Sequence, residues 1–216
     1  MKAMLLAAGR GERLRPLTDH TPKPLISIGN TTLIEHIFSQ LRDAGIQEVV
    51  INVHHLAQKM MQYCGDGSRF GLHIHYSVEK ILLDTGGGIL QALPLLGRES
   101  FLVMSADIWT DFPLQTLLQR RVRGAHLVLV NNPDFHPNGD FGLMNDLLTL
   151  RGKRFTYANI AVLHPDIFVE ETRTIFPLAD IFTRTIQQKI ATGQHYSGSW
   201  HNIGTLDELN RMQGVS

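Results

Sequence analysis

Two cations follow a turn-forming loop near the start of the chain. The loop reads Ala7-Ala8-Gly9-Arg10-Gly11-Glu12-Arg13-Leu14, and Lys23 stands between prolines in Thr21-Pro22-Lys23-Pro24-Leu25. Gly9 and Gly11 let the backbone turn tightly and turn N–H groups toward an anion. Arg13 offers a planar fork for phosphate oxygens, Lys23 a point charge, and Arg15 follows closely. Pro22 and Pro24 restrict the backbone around Lys23, which suits a lysine held to one task. The combination points to a bound polyphosphate. Further on, Asp107 ends an apolar run over residues 101–106, where a carboxylate can meet a hard divalent cation.

Two other phosphate-binding loops are excluded by the residues themselves. A dinucleotide fingerprint needs a third glycine where Leu14 stands, and a P-loop needs Gly-Lys-Ser/Thr, which is absent. The chain carries 20 Lys+Arg against 20 Asp+Glu, so it has no electrostatic footprint for nucleic acid. The eleven histidines, including His54, His55, His73 and His75, lack zinc-site spacing. Cys64 is the one cysteine, so no internal disulfide forms, which fits a reducing cytoplasmic setting. The opening apolar run is too short for a signal peptide, and no run approaches the roughly 18 residues of a membrane span.

The elements that must position these residues alternate in type. Strands are expected at 3–7, 48–53, 72–78, 101–106 and 125–130. Helices are expected at 32–44, 56–63, 86–96 and 114–123. This β-α-β order predicts an α/β domain with a mostly parallel sheet, helices on both faces and the site at the carboxyl ends of the strands. Residues 143–150 and 155–163 read as strands of antiparallel character, 177–192 as a helix, and 205–212 as a short closing helix. No linker interrupts the 216 residues, so a single domain is expected.

The run 6–18, Leu-Ala-Ala-Gly-Arg-Gly-Glu-Arg-Leu-Arg-Pro-Leu-Thr, followed by Pro22-Lys23-Pro24-Leu25, resembles the signature of sugar-phosphate nucleotidyltransferases. The resemblance continues through Asp107, Gly142 and Gly204-Thr205. Within that family the chain is similar to short bacterial forms that act on N-acetylmuramate 1-phosphate with UTP and have no C-terminal β-helix. Asp84-Thr85-Gly86-Gly87-Gly88-Ile89, Asp107-Ile108-Trp109-Thr110-Asp111, Asn132-Pro133 and Pro137-Asn138-Gly139-Asp140-Phe141 carry that likeness. Mannose 1-phosphate guanylyltransferases share similar signatures.

The resemblance implies a Rossmann-like three-layer α/β/α fold with a mixed, mostly parallel central sheet. It implies a Mg²⁺-dependent condensation of a nucleoside triphosphate with a sugar 1-phosphate, and no nucleic-acid or membrane partner. Arg13, Lys23 and Asp107 become the catalytic candidates. Ala7, Ala8, Gly9, Gly11, Arg13, Thr85, Gly86, Gly88 and Asp107 would hold the nucleotide. Gly142, Asn159 and Lys153, or its neighbour Arg154, would meet the sugar and its phosphate. Residues 1–125 would serve mainly the nucleotide and 126–216 mainly the sugar, in a monomer or weak homodimer. The second metal ligand departs from the family pattern: Asn202 stands where a carboxylate is usual, beside His201, and Ala106 stands where glycine is usual. The Glu-Lys-Pro motif of the sugar side is not evident. A nucleotide-binding paralogue with little turnover is therefore the competing expectation, and a dinucleotide-dependent oxidoreductase a more distant one.

Overall fold

The computed structural model describes residues 1–120, 122–152 and 154–214. In chain order the elements are β1 (Ala3–Leu6), β2 (Ser27–Ile28), β3 (Thr31–Thr32), α1 (Leu33–Asp43), β4 (Glu48–Val53), α2 (Ala57–Cys64), β5 (His73–Val78), α3 (Asp84–Leu96), β6 (Phe101–Ser105) and β7 (Ile108–Thr110). Then come β8 (Ala125–Val130), β9 (Phe141–Met144), β10 (Leu147–Thr149), β11 (Arg154–Leu163), α4 (Leu178–Gln187), β12 (Ala191–Tyr196), β13 (Trp200–Asn202) and α5 (Leu206–Gln213).

Helix α1 illustrates how local sequence sets the frame. Thr32 caps it by accepting from Glu35 N, while Glu35 Oε2 accepts from Thr32 N at 3.0 Å, a reciprocal capping box. Leu33, Ile34, Ile37, Phe38 and Leu41 recur at helical spacing and are all buried. The chain then turns at Gly45, whose φ of +84° costs a glycine little.

Nine strands form one sheet in the order β5-β4-β1-β6-β11-β8-β12-β10-β9. The β5-β4-β1-β6 block is parallel, as is the β8–β12 pair. Strand β11 runs antiparallel to both β6 and β8. Side chains alternate across the sheet. Ala3 and Leu5 join α1 and α2 on one face, and Met4 joins Ile89 and Ala92 of α3 and Ile181 and Phe182 of α4 on the other. The result is the expected three-layer α/β/α arrangement, with a mixed sheet at its centre.

Three expectations change in detail. Among the described residues of 114–123, the expected helix is reduced to a 3-10 turn over Leu114–Leu117. Leu114 and Leu117 are buried there and Leu118 packs partly buried against the same core, while Gln119 and Arg120 that follow are exposed. Helix α4 stops at Gln187, the chain reverses through Lys189 with φ +59°, and β12 begins at Ala191. The stretch at 143–150 is a hairpin, β9–β10, turning at Asn145 with φ +53°. Apart from the main sheet, β7 and β13 pair as a small two-stranded sheet, which the sequence did not announce.

Candidate active site

Leu6 is in register with Asn52 of β4 on one side and Ser105 of β6 on the other. Three strand ends therefore lie level, and the loops leaving them meet at one edge of the sheet. After β5 the chain returns to the far side of β1, so this edge is also where the strand order reverses. Ligands of open α/β sheets bind at that crevice. A cleft of about 700 Å³ opens there, lined by the whole loop from Ala7 to Arg13 together with Lys23, Asp84, Thr85, Ala106 and Asp107.

The glycine loop is built to hold its shape. Gly11 has φ +64°, and its carbonyl accepts from Leu14 N and from the Thr18 hydroxyl at 2.8 Å. A side chain at Gly11 would strike Thr18 Cγ2 at 2.8 Å. Gly9 is exposed and open, with nothing within 4 Å of where a Cβ would stand. At the loop's start, Ala7 N donates to Asn52 Oδ1 at 2.8 Å. Asn52 Nδ2 donates to Glu79 Oε1 at 2.7 Å, and Glu79 Oε2 accepts from Leu83 N at 3.0 Å. Asn52 and Glu79 are both buried, so this chain of bonds ties the glycine loop to the segment ahead of α3.

Lys23 and Asp107 form a direct ion pair, Nζ to Oδ2 at 2.5 Å, and Ser105 Oγ donates to Asp107 Oδ1 at 2.6 Å. Arg13 lies exposed in the cleft, packed on Gly204, where an added Cβ would stand 2.7 Å from Nη2. Gly204 is itself fixed, since its N–H reaches Glu208 Oε2 at 2.6 Å within the capping box of α5. Arg15 is elsewhere, bridging Asp19 on the surface.

Among the other candidates, Thr85 lines the cleft, and its hydroxyl accepts from Leu178 N at 2.8 Å. Gly86 and Gly88 stand behind the wall and not on it. Gly86 N donates to Phe176 O at 3.0 Å, and a Cβ at Gly86 would meet the Phe176 ring at 2.3 Å. A Cβ at Gly88 would lie 2.6 Å from both Asn52 Nδ2 and Glu79 Oε1. These glycines let α3 pack closely on its neighbours, leaving Gly86 no free N–H for a ligand.

A second cleft of about 310 Å³ adjoins the first and shares Leu6, Thr85 and Ser105 with it. Asn159 and Asn202 line it. Asn159 has φ +59° at a register shift in β11 between Tyr157 and Ala161. The side-chain oxygen of Asn202 is buried and has no hydrogen-bond partner among the described residues. Ile108 and Asn202 pair across β7–β13, and Ile203 N donates to Asp107 O at 2.9 Å, so Asp107 and Asn202 come from adjacent strand ends. Gly142 is buried in β9, paired with Arg154, and does not line this cleft. Arg154 donates to the Asp140 carbonyl. Lys153 lies outside the described residues.

Several lining residues escaped sequence reasoning. Asn52, which lines the first cleft, and the buried Glu79 bonded to it carried a weak signal, as polar residues near the ends of β4 and β5. His136, Asp140, Tyr157 and Trp200 of the second cleft gave none beyond the Pro137–Phe141 segment. Tyr157 is close to Asp140 and deeply placed, and burial pushes its phenol well above the usual range.

Comparison with known proteins agrees with this geometry. The nucleotidyl transferase family model matches residues 2–156. The chain is 39% identical to an N-acetylmuramate alpha-1-phosphate uridylyltransferase of Neisseria meningitidis serogroup B, over 100% of this chain and 98% of the relative. It is 30% identical to the protein of that name from Caulobacter vibrioides, over 94% and 91%. Among solved structures, a putative glucose-1-phosphate thymidylyltransferase from Bacillus anthracis superposes with a TM-score of 0.87 at 20% identity, covering 100% of this chain and 94% of that one.

Proposed function

This chain belongs to the nucleotidyl transferase family and is a sugar-1-phosphate nucleotidyltransferase, and from that premise we propose that it joins UTP to N-acetylmuramate 1-phosphate and releases pyrophosphate. The observation that carries the reading is the meeting of two clefts: a cation-bearing one and a smaller one share the wall formed by Leu6, Thr85 and Ser105. The full-length relatives named as N-acetylmuramate alpha-1-phosphate uridylyltransferases support the choice of substrates.

A phosphate oxygen of the sugar attacks the α-phosphorus of the nucleotide in line. A new P–O bond forms as the bond to the bridging oxygen of the β-phosphate breaks, and the electron pair leaves on pyrophosphate. No protein nucleophile takes part, so catalysis is positioning and charge neutralisation. In this reading the loop from Ala7 to Gly11 and Thr85 hold the nucleotide. Arg13 neutralises the leaving pyrophosphate, and Lys23 bridges the reacting phosphates. Asn159 meets the sugar ring. Lys153 is retained for the sugar phosphate and Gly142 as a support of the sugar side.

The residues present fit Mg²⁺. The orphaned Asn202 oxygen and the Asp107 carboxylate are hard oxygen donors from neighbouring strand ends, and Mg²⁺ is commonly held by one or two such ligands plus phosphates. Bound there, the ion would supply Lewis-acid charge neutralisation at the phosphates. We place the protein in the cytoplasm, in keeping with the lone Cys64, whose thiol burial pushes up to about 12, and we take it as a monomer or weak homodimer.

Asn202 favours one alternative, a nucleotide-binding paralogue with weak turnover, because an amide brings no charge to a metal. Pyrophosphate release, measured for UTP, GTP, dTTP and CTP against N-acetylmuramate, mannose and glucose 1-phosphates, decides. Preferred release from UTP with the N-acetylmuramate substrate supports the proposal. Triphosphate binding without release from any pair overturns it in favour of the paralogue.

A further inference from the structure

The smaller cleft carries one basic side chain among its described lining residues, His136, and its position is over-determined. His136 N donates to Pro133 O at 2.9 Å, and His136 O accepts from Gly139 N at 3.2 Å. Asn132 staples the same loop, donating to Pro137 O at 2.9 Å and accepting from the Thr156 hydroxyl at 3.0 Å. The imidazole Nε2 lies 3.0 Å from Asp140 Oδ1, and Asp140 Oδ2 accepts from Tyr157 N at 2.8 Å. Both Asp140 oxygens are thus engaged within the protein. The second ring nitrogen of His136, Nδ1, has no hydrogen-bond partner among the described residues. An aspartate that grips one imidazole nitrogen fixes the ring and leaves the other free to act outward.

We propose that His136 is the specificity-determining residue for an acidic substituent on the sugar, donating from Nδ1 to its carboxylate. This inference rests on the reading above. N-acetylmuramate differs from N-acetylglucosamine by a lactyl ether, which ends in a carboxylate. As imidazolium, His136 donates to Asp140 from one nitrogen and to the lactyl carboxylate from the other, giving a charge-assisted bond that a neutral sugar cannot form. Asp140 acts through His136 as a positioning residue. A neutral hexose or N-acetylhexosamine forgoes this contact but keeps the rest of the cleft.

The test compares kcat/KM with UTP for three substrates: N-acetylmuramate 1-phosphate, its lactyl methyl ester, and N-acetylglucosamine 1-phosphate. The wild-type protein is expected to favour the free acid over the ester by about 10- to 100-fold, the worth of one hydrogen bond to a charged group. His136→Gln, whose amide can still meet Asp140, is expected to bring the acid down to the level of the ester. Turnover of N-acetylglucosamine 1-phosphate should stay within about twofold. The ester comparison needs no variant, so it holds even where His136→Gln folds poorly. Equal use of acid and ester by the wild type overturns this inference alone, as does an equal loss on all three substrates in the variant. No pyrophosphate from any of the three overturns the underlying reading and the inference with it.

Discussion

Lys23 Nζ stands 2.5 Å from Asp107 Oδ2, and Ser105 occupies the other carboxylate oxygen, so in the protein alone the acid is already paired. Both side chains are mostly buried, which keeps the pair strong against solvent screening. In the proposed reading Asp107 would help to hold a divalent cation, and Lys23 would turn toward the phosphates. Lys23→Ala is expected to lower turnover by about 10²–10³, the usual effect of losing one transition-state charge donor. It should also tighten binding of Mn²⁺ to the nucleotide-free protein, read by electron paramagnetic resonance titration. Weaker Mn²⁺ binding in the variant would show that the ion does not use Asp107.

Asn202 presents the complementary case, a buried oxygen with no partner among the described residues. Leaving a polar atom so is unfavourable unless a ligand satisfies it. Asn202→Asp adds the negative charge that a hard cation prefers. The Mg²⁺ concentration giving half-maximal pyrophosphate release is expected to fall by about tenfold or more, on the scale of a charged hydrogen bond. An unchanged requirement would remove Asn202 from the ion's surroundings.

Two glycines separate stability from catalysis. An alanine methyl at Gly88 would lie 2.6 Å from Asn52 and Glu79, which are buried and bonded to each other. Gly88→Ala should therefore destabilise the fold by about 1–3 kcal/mol, as overpacking does, measured by urea denaturation. At Gly204 the atoms nearest the methyl belong to the far end of Arg13, 2.7 Å away. Gly204→Ala should leave stability within about 0.5 kcal/mol of the parent. Its turnover should fall toward that of Arg13→Ala. Full activity in Gly204→Ala would mean that the resting position of Arg13 is not the working one.

The parts legible in the sequence were those where local chemistry and tertiary need agree. The capping box of α1, its five apolar residues and the glycine after it all say helix, and the helix forms. The Ala7–Arg13 loop and Lys23 were legible because glycines, prolines and cations together have few other uses. Strand β12 was hidden because Ile190 continues the apolar spacing of Ile181 and Ile186, so the helix read straight through the reversal at Lys189. The glycines of α3 were legible as special, but whether a glycine admits a ligand or a neighbouring ring depends on Phe176, some ninety positions away. His136 and Asp140 gave no signal as a pair, since only the turn at Gly139 and the pairing with β11 bring them to one cleft.

The fold is expected to lose stability as the pH falls below neutrality. His126 is fully buried between β8 and β12, with Nδ1 near Thr192 Oγ1 at 2.8 Å and Nε2 near Gln194 Oε1 at 3.1 Å. Burial holds its imidazole below the ordinary range, Arg120 adds to this, and the bond to Gln194 opposes it only in part. His36, stacked on Trp109 at 3.7 Å, is lowered too, again by burial. Both rings are then neutral in the folded protein at pH values where the unfolded chain has begun to take up protons. With folded values below the unfolded value of about 6.5, the stability they contribute is fully present above that pH. It is lost as pH falls from there through the folded values. Each ring can contribute a slope of up to about 1.4 kcal/mol per pH unit. The shifted carboxylates Glu35, Glu48, Asp66, Asp111 and Glu171 are held low and act in a more acid window, so they do not mask this one. Urea midpoints measured from pH 7.5 to 5.5 should decline, and His126→Gln should show a shallower decline whatever its absolute stability. A variant slope equal to the parent's would assign the acid lability to other groups.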